Sequence, residues 1–548
     1  MALPPDANPE VAAVGRRRAS RRPPILLTAI ATLSVATLLI PPVYLVIRAG
    51  FGDAWSILAR TATVELVGRT LLLALTVGMG AILIGVPMAW LVVRTRIPAA
   101  RWWAAGCSLP LAMPSFVAAL SLLGAFSPKG FLQQLLSPLG VDRLPDIHGF
   151  PGATIALVMA TFPYVFLLTV AALHGIDPSI EDAARSLGRR PVGVLVAVIF
   201  PQIRRAVMGG ALISGLYVIS DYGAVSLMRY DTLTRAIFTR YKTFDRAPAA
   251  VLGLLLVALA VLFLLLEHKA RGGRTSYRLG PGTGRAPRLV SLGRWTPAAL
   301  GLSGIVVGLF VVIPVTVLVY LFVRSAANDQ RFEVPWAAAA NTLVVALAVA
   351  AVVTVLAVPV SVLARRYRRP WTVGLERTAY ASNALPGVVV GLALVFFAAR
   401  YVPGLYQTIP LLLIAYLIRY FAQALTGVDT ALAAVNPRAE EAARGLGRSP
   451  LRVLASVTLP MMRPGLISGA TLVFLSVLKE LPATLLLRPT GFDTLATEVW
   501  SKTEVGAYGA AAVPALMLLV IALPFLYLAA HDGTGRGAED ALPAVAAA

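Results

Sequence analysis

"EDAARSLGRRPVGVLVAVIFP" occupies residues 181–201, and "EEAARGLGRSPLRVLASVTLP" occupies residues 440–460. Twelve of the 21 positions are identical across an offset of 259 residues. Both copies open on acids, carry arginines, and are interrupted by a glycine and a proline. The chain around them is oily: 58% of the 548 residues are hydrophobic and 14% are charged. Soluble domains carry about 25% charged residues, and a soluble fold of this length needs far more polar surface.

Each copy predicts the same local structure. Asp177-Pro178 and Asn436-Pro437 form helix starts, with a capping side chain and a proline preset for the first helical position. About ten residues of helix follow, ending at Gly188 and Gly447, where glycine accepts the left-handed conformation of a C-terminal cap. A second helix begins at Pro191 or Pro450 and feeds an apolar run. The small pairs Ala183-Ala184 and Ala442-Ala443 leave room for a partner. The flanking acids Glu181, Asp182, Glu440 and Glu441 offer it charge-assisted bonds. The plain alternative is a surface helix of no special role, but a matched pair fits two partner sites.

Apolar runs near the roughly 20 residues needed to cross a bilayer recur along the chain. Twelve spans are predicted, at 25–47, 66–93, 104–126, 152–173, 204–228, 249–267, 297–322, 338–364, 380–398, 408–427, 464–487 and 509–530. Prolines interrupt the third and ninth. The run at 25–47 is too long for the apolar part of a secretion signal and lacks a small-residue cleavage site, so it reads as a retained span.

Arginines precede the first span (Arg16, Arg17, Arg18, Arg21, Arg22) and follow the second, sixth and eighth. The positive-inside rule then puts the N-terminus, both polar segments and the C-terminus in the cytoplasm. One loop dissents, with Arg229, Arg235, Arg240, Lys242 and Arg246 outward. Complementary charge offers the four arginines a candidate role in docking an acidic partner; the plain reading is a solvated loop.

The Gly-, Pro- and Arg-rich stretch 268–296 reads as a linker. It divides the chain into a disordered cytoplasmic tail (1–24), a first domain (25–267), a second domain (297–530) and a final tail (531–548). The halves repeat: "RTLLLALTVGMGAILIGVP" (69–87) matches "NTLVVALAVAAVVTVLAVP" (341–359), and "MPSFVAALSLL" (113–123) matches "LPGVVVGLALV" (385–395), both at an offset of 272. Each half has an even number of spans, so both share one orientation, a parallel repeat.

Topology accounts for the net charge of +22 without nucleic acid. One cysteine, Cys107, allows no internal disulfide, and the four histidines show no metal-ligand spacing. No nucleophile–base or metal constellation suggests an enzyme. No G-x-x-x-x-G-K-[ST] phosphate loop occurs; the dipeptide Gly-Lys is absent.

The repeated segments resemble the EAA motif of ATP-binding-cassette importer permeases, a helix that couples the permease to its ATPase. The motif stands here as Glu181-Asp182-Ala183-Ala184 with Gly188, and Glu440-Glu441-Ala442-Ala443 with Gly447. The resemblance implies an all-α polytopic fold of about twelve membrane helices in two type I importer permease domains. It implies two ATPase copies on the cytoplasmic side, an extracytoplasmic solute-binding protein, and residence in the inner membrane. ATP and its magnesium ion would then sit on the partner, and no cofactor in this chain. The fusion of both domains is similar to ferric-iron and thiamine permeases. "SDYGAVSLMRYDTLTRAIF" (220–238) and "ELPATLLLRPTGFDTLATEVW" (480–500) resemble the ferric-iron type. Thiamine, polyamine and phosphonate importers remain alternatives. An ion-coupled secondary transporter is the rival of another class.

Asp221 and Glu480 are equivalent across the repeat, as are Arg229 and Arg488. The two acids fall within or at the outer ends of the fifth and eleventh spans. Ionisable groups there either line a pathway or pair with a neighbouring base to lock the structure. Lys479 is the neighbour suggested for Glu480, whereas Asp221 has no adjacent cation. Arg419, in the tenth span, is either a pathway group or a side chain snorkelling to the inner surface.

Overall fold

The structure, a computed structural model, describes residues 23–49, 51–128, 130–243, 246–271, 289–327 and 333–532. Most of the expected tails and the centre of the expected linker lie outside these residues. Among the described residues there is no strand, only an isolated parallel bridge between Thr95 and Val290. Eleven stretches of helix are long and apolar enough to cross a bilayer, or twelve when the bent pair Pro370–Ala384 and Gly387–Tyr401 counts as one.

Each half is built on three mutually packed helices. In the first half these are Thr61–Arg94, Phe150–His174 and Phe200–Ser220; in the second, Trp336–Arg366, Ile409–Ala433 and Leu459–Leu478. Small residues make their seams. On Thr61–Arg94, Gly78, Ala81, Gly85 and Ala89 turn inward, while Leu72, Leu75, Met79 and Leu83 are exposed along the opposite stripe. Lipid is as apolar as leucine, so tight packing of small residues, rather than hydrophobicity, decides which face is inside. A Cβ on Gly210 would lie 2.7 Å from the Cα of Val165, and one on its repeat mate Gly469 would lie 3.1 Å from the Cα of Gly427.

The third and ninth spans are broken helices. Ala100–Ser108 and Ser115–Phe126 flank Met113-Pro114; Pro370–Ala381 and Gly387–Tyr401 flank Leu385-Pro386, with a bend of 105°. Met113 and Leu385 are extended (φ −86°, ψ 119° and φ −87°, ψ 106°), as the ring of a following proline requires. The helices that follow the polar segments each contain one wide turn, at Leu195–Ile199 and Leu454–Thr458. Pro201 and Pro460 come directly after the residues closing those turns. A proline offers no N–H and displaces the carbonyl four residues back, so the helix bulges.

The predicted fifth and eleventh spans, 204–228 and 464–487, run too far. The helices end at Ser220 and Leu478, and short helices Gly223–Leu227 and Pro482–Leu487 follow. The only charged residues in the breaks are Asp221 in one half and Lys479-Glu480 in the other, with mostly apolar residues on either side, too few to split a span by hydropathy.

The first helix of each half packs on the other half. Ile25–Ala49 lies against Trp336–Arg366 and Gly387–Tyr401, with Tyr44 edge-on to Phe397 at 6.0 Å. Ile313–Ala327 lies against Ser115–Phe126, and a Cβ on Gly124 would come within 2.6 Å of Leu321. The halves are thus interlocked rather than side by side.

Gly210→Val should destabilise the protein by about 1–3 kcal/mol, the range for overpacking a tight seam. Thermal unfolding of the purified protein in detergent reads this as a lowered midpoint; an unchanged midpoint contradicts the seam described here.

Candidate functional site

The polar segments form the helices Pro178–Ser186 and Pro437–Gly445. Asp177 accepts the backbone N–H of Ser179 at 2.9 Å, and Asn436 that of Arg438 at 3.0 Å. Gly188 and Gly447 have φ of 79° and 80°, the left-handed region that side chains avoid.

The two glutamates face inward, contrary to their expected role as bonds offered to a partner. Glu181 and Glu440 are buried. Arg94, the last residue of its helix and itself buried, pairs with Glu181. Its repeat mate Arg366 donates to Glu440 Oε1 through Nε and Nη2 at 3.2 and 3.1 Å. Thr458 at 3.1 Å and Arg444 at 3.2 Å complete the shell around Glu440. Ala184 and Ala443 are buried as well, so only one alanine of each pair is open to a partner. The outward face carries Asp182 and Ala183 in one copy, Glu441 and Ala442 in the other. Beside them stand Leu187 and Leu446, each 83% exposed. Their identity in the two copies was a sequence signal for them. Arg94 and Arg366 carry one too, being matched at the offset of 272.

Between the halves lies a cavity of about 500 Å³, bordered by Tyr164, Tyr217, Tyr380, Asn383, Arg419 and Gln423. It continues into a pocket of about 100 Å³ that holds Asp221 and Glu480. Both acids cap the short helix that follows them: Asp221 Oδ2 accepts the N–H of Ala224 at 2.9 Å, and Glu480 Oε1 that of Ala483 at 3.2 Å. The hydroxyl of Ser115 donates to Asp221. In the second half the matching residue is Gly387, where a Cβ would sit 2.5 Å from Glu480 Oε1. The longer acid needs the smaller neighbour.

Lys479 does not pair with Glu480; its Nζ donates to the carbonyl of Leu111 at 2.9 Å. The partners of Glu480 Oε2 are the Tyr420 hydroxyl at 2.6 Å and Arg419 Nε at 3.9 Å. Arg419 therefore does not snorkel to a surface. It stands about midway along Ile409–Ala433 and borders the cavity.

At the end of the bundle away from the polar segments lies a second cavity of about 500 Å³. Arg229, Arg235, Lys242 and Glu504 line it, and Tyr222, Phe238 and Trp500 also border it. Arg229 has φ of 54°, a conformation usually left to glycine. Tyr222 lies 4.5 Å from Phe238 and 5.1 Å from Trp500, ring centre to ring centre. It also borders the small pocket, so one aromatic layer separates the two cavities. Arg488, the mate of Arg229, is instead paired with Asp493. No group of three or more metal-ligating side chains is found among the described residues.

Two interlocked sets of membrane helices, each with a capped polar helix pinned to its rim, define a duplicated membrane transport component. The chain belongs to the family of binding-protein-dependent transport system inner membrane components, whose model matches residues 81–268 and again 354–531. It is 32% identical over 508 residues to an Fe(3+)-transport system permease protein, FbpB 2, of Haemophilus influenzae, covering 91% of this chain and 97% of that protein. It is 22% identical over 497 residues to the ferric transport system permease protein FbpB of Actinobacillus pleuropneumoniae, covering 86% and 71%. A probable sulfate transport system permease protein of Chlorokybus atmophyticus is 30% identical over 237 residues, 42% of this chain and 82% of that one.

Removing one member of a buried ion pair strands the other, at a cost of about 3–5 kcal/mol. Arg94→Gln should therefore lower the unfolding midpoint sharply, while Arg94→Met combined with Glu181→Leu should recover most of the loss. Equal midpoints for the single and double variants would mean that the pair is not what holds the segment.

Proposed function

We propose that this protein is the membrane-spanning permease of an ATP-driven importer that takes ferric iron from an extracytoplasmic solute-binding protein into the cytoplasm. The observation that carries the reading is the relation to the Haemophilus ferric-iron permease, which runs through both halves and 97% of that protein. The sulfate permease of Chlorokybus matches over only 42% of this chain.

The N-terminus, both polar segments and the C-terminus face the cytoplasm in this reading, in keeping with the loop arginines. Each polar helix is then a coupling helix for one copy of an ATPase subunit. Its exposed leucine and acid provide an apolar knob beside a charge, and its buried glutamate holds it rigidly to the membrane helix behind. The chain carries no phosphate-binding loop, so ATP and magnesium belong to the ATPase. The basic cavity at the opposite end receives the solute-binding protein, and the layer of Tyr222, Phe238 and Trp500 closes the route between deliveries. Ferric iron is a hard cation that takes oxygen ligands. The route offers it tyrosine and carboxylate oxygens without gathering them into a cage, so selection falls to the binding protein and passage stays weak enough to release.

Reconstituting the chain with its ATPase and binding protein, and comparing ATP-driven uptake of ferric iron with that of sulfate and thiamine, tests the reading. Iron alone should accumulate; accumulation of sulfate or thiamine in its place would overturn the substrate.

Leu187→Asp and Leu446→Asp should each reduce co-purification of the ATPase while leaving the chain in the membrane. Gly188→Asp and Gly447→Asp should act in the same direction, since a side chain at positive φ costs about 1 kcal/mol and a carboxylate there opposes the helix dipole. Normal co-purification in all four would place the ATPase elsewhere.

A further inference from the structure

The two halves are not equivalent at the end that carries the coupling helices. Asp429, near the end of Ile409–Ala433, is 5% exposed. Ser361 donates its hydroxyl to Asp429 Oδ1, Arg365 Nε donates to the same oxygen at 3.2 Å, and the Tyr380 hydroxyl donates to Oδ2 at 2.6 Å. The repeat offsets place Val170, Ala89, Val93 and Ser108 at the corresponding positions of the first half. Three of those four are apolar, and Ser108 turns its hydroxyl to the carbonyl of Ala104 at 2.9 Å. Among the described residues the network exists in the second half alone.

Its position joins the second coupling helix to the bent helix at the cavity. Arg365 and Arg366 are neighbours in the last turn of Trp336–Arg366. One holds Asp429 and the other holds Glu440 of the coupling helix. On the other side, Tyr380 stands in the last turn of Pro370–Ala381, just before the 105° break. Tyr380 and Asn383 border the central cavity, and beyond the break Gly387 packs against Glu480. A displacement of the second coupling helix thus reaches, through two adjacent arginines and one carboxylate, the bend of a helix that walls the cavity. In the first half Arg94 holds Glu181, and Val93 has nothing to pass on.

We infer that Asp429 is a positioning residue that ties the second coupling helix to the bent helix at the cavity wall, so that ATPase movement is transmitted to the cavity mainly through the second half. The inference rests on the docking of ATPase subunits proposed above. An ionisable group inside a membrane helix is costly unless it serves such a purpose, and coupling between sites needs an element with two arrangements that both sites bias. In this inference the bent helix takes that part.

The test follows the cavity directly and needs no assumption about the cargo. With Cys107 replaced, cysteines at Leu216 and Thr426, both at the cavity, carry spin labels in the reconstituted complex. Their separation is measured with and without ATP trapped by vanadate. The parent should show a change in distance on trapping. Asp429→Asn and Tyr380→Phe should retain ATPase co-purification and basal hydrolysis within about twofold, yet lose at least half of that change, and Ser108→Ala should behave like the parent. A full distance change in both Asp429→Asn and Tyr380→Phe overturns the inference, as does a loss matched by equal losses of docking or melting temperature. If Asp429→Asn fails to accumulate, Tyr380→Phe decides, since it removes one hydroxyl and keeps the ring. A parent chain that binds no ATPase would refute the docking reading itself, and this inference with it.

Discussion

Two ion pairs, each on a buried glutamate, hold the working end of this protein in place. A polar helix at the edge of an oily bundle has little apolar surface with which to anchor itself. Arg94 with Glu181, and Arg366 with Glu440, supply the anchor, because each buried glutamate finds its counter-charge at the end of the membrane helix behind it. A charge sealed away from water costs several kcal/mol unless it is matched, so each helix has one well-defined seat. The outward direction of Asp182, Glu441, Leu187 and Leu446 follows from that seat. So does the rigid connection from a surface helix to the end of a membrane helix more than thirty residues long in each half.

The repeat, the span count and the kinks at proline were legible in the chain because they depend on composition and periodicity. The facing of side chains was not. The acids opening each polar segment looked available to a partner, since the arginines that claim them lie 87 and 74 residues earlier. Lys479 looked like the partner of Glu480 because it is adjacent in sequence; on a helix end, adjacent residues point apart. The ends at Ser220 and Leu478 are hidden for a different reason: one or two charged residues among apolar ones barely lower the mean hydropathy of a window about 19 residues long, and what marks each stop is a carboxylate reaching the amide three residues on. Asp429 carries no sequence signal of its role, because the predicted tenth span ends at residue 427, which puts the acid in a loop rather than in the helix that continues to Ala433.

Duplication followed by divergence explains the centre of the molecule. Ser115 with Asp221, and Gly387 with Glu480, solve one problem in two ways: each fills the same volume and caps the same short helix. Phe238 and Trp500 likewise flank Tyr222 from matched positions. Carrying both halves on one polypeptide lets such pairs diverge, because a change in one copy need not appear in the other. Asp429 and its partners are the furthest result of that freedom.

The crossing of the first helix of each half onto the other half has a consequence for how the protein is made. Ile25–Ala49 enters the membrane before its partner Trp336–Arg366 has been synthesised. At roughly 5–20 residues per second, the intervening stretch takes about 15 to 60 seconds to emerge. A soluble protein with so long a wait would expose a sticky strip to water. Here lipid covers the waiting face, and its apolar chains solvate that face as well as a protein neighbour would. The bilayer thus acts as a holding solvent, and interlocking, hazardous for a large soluble fold, costs this one little.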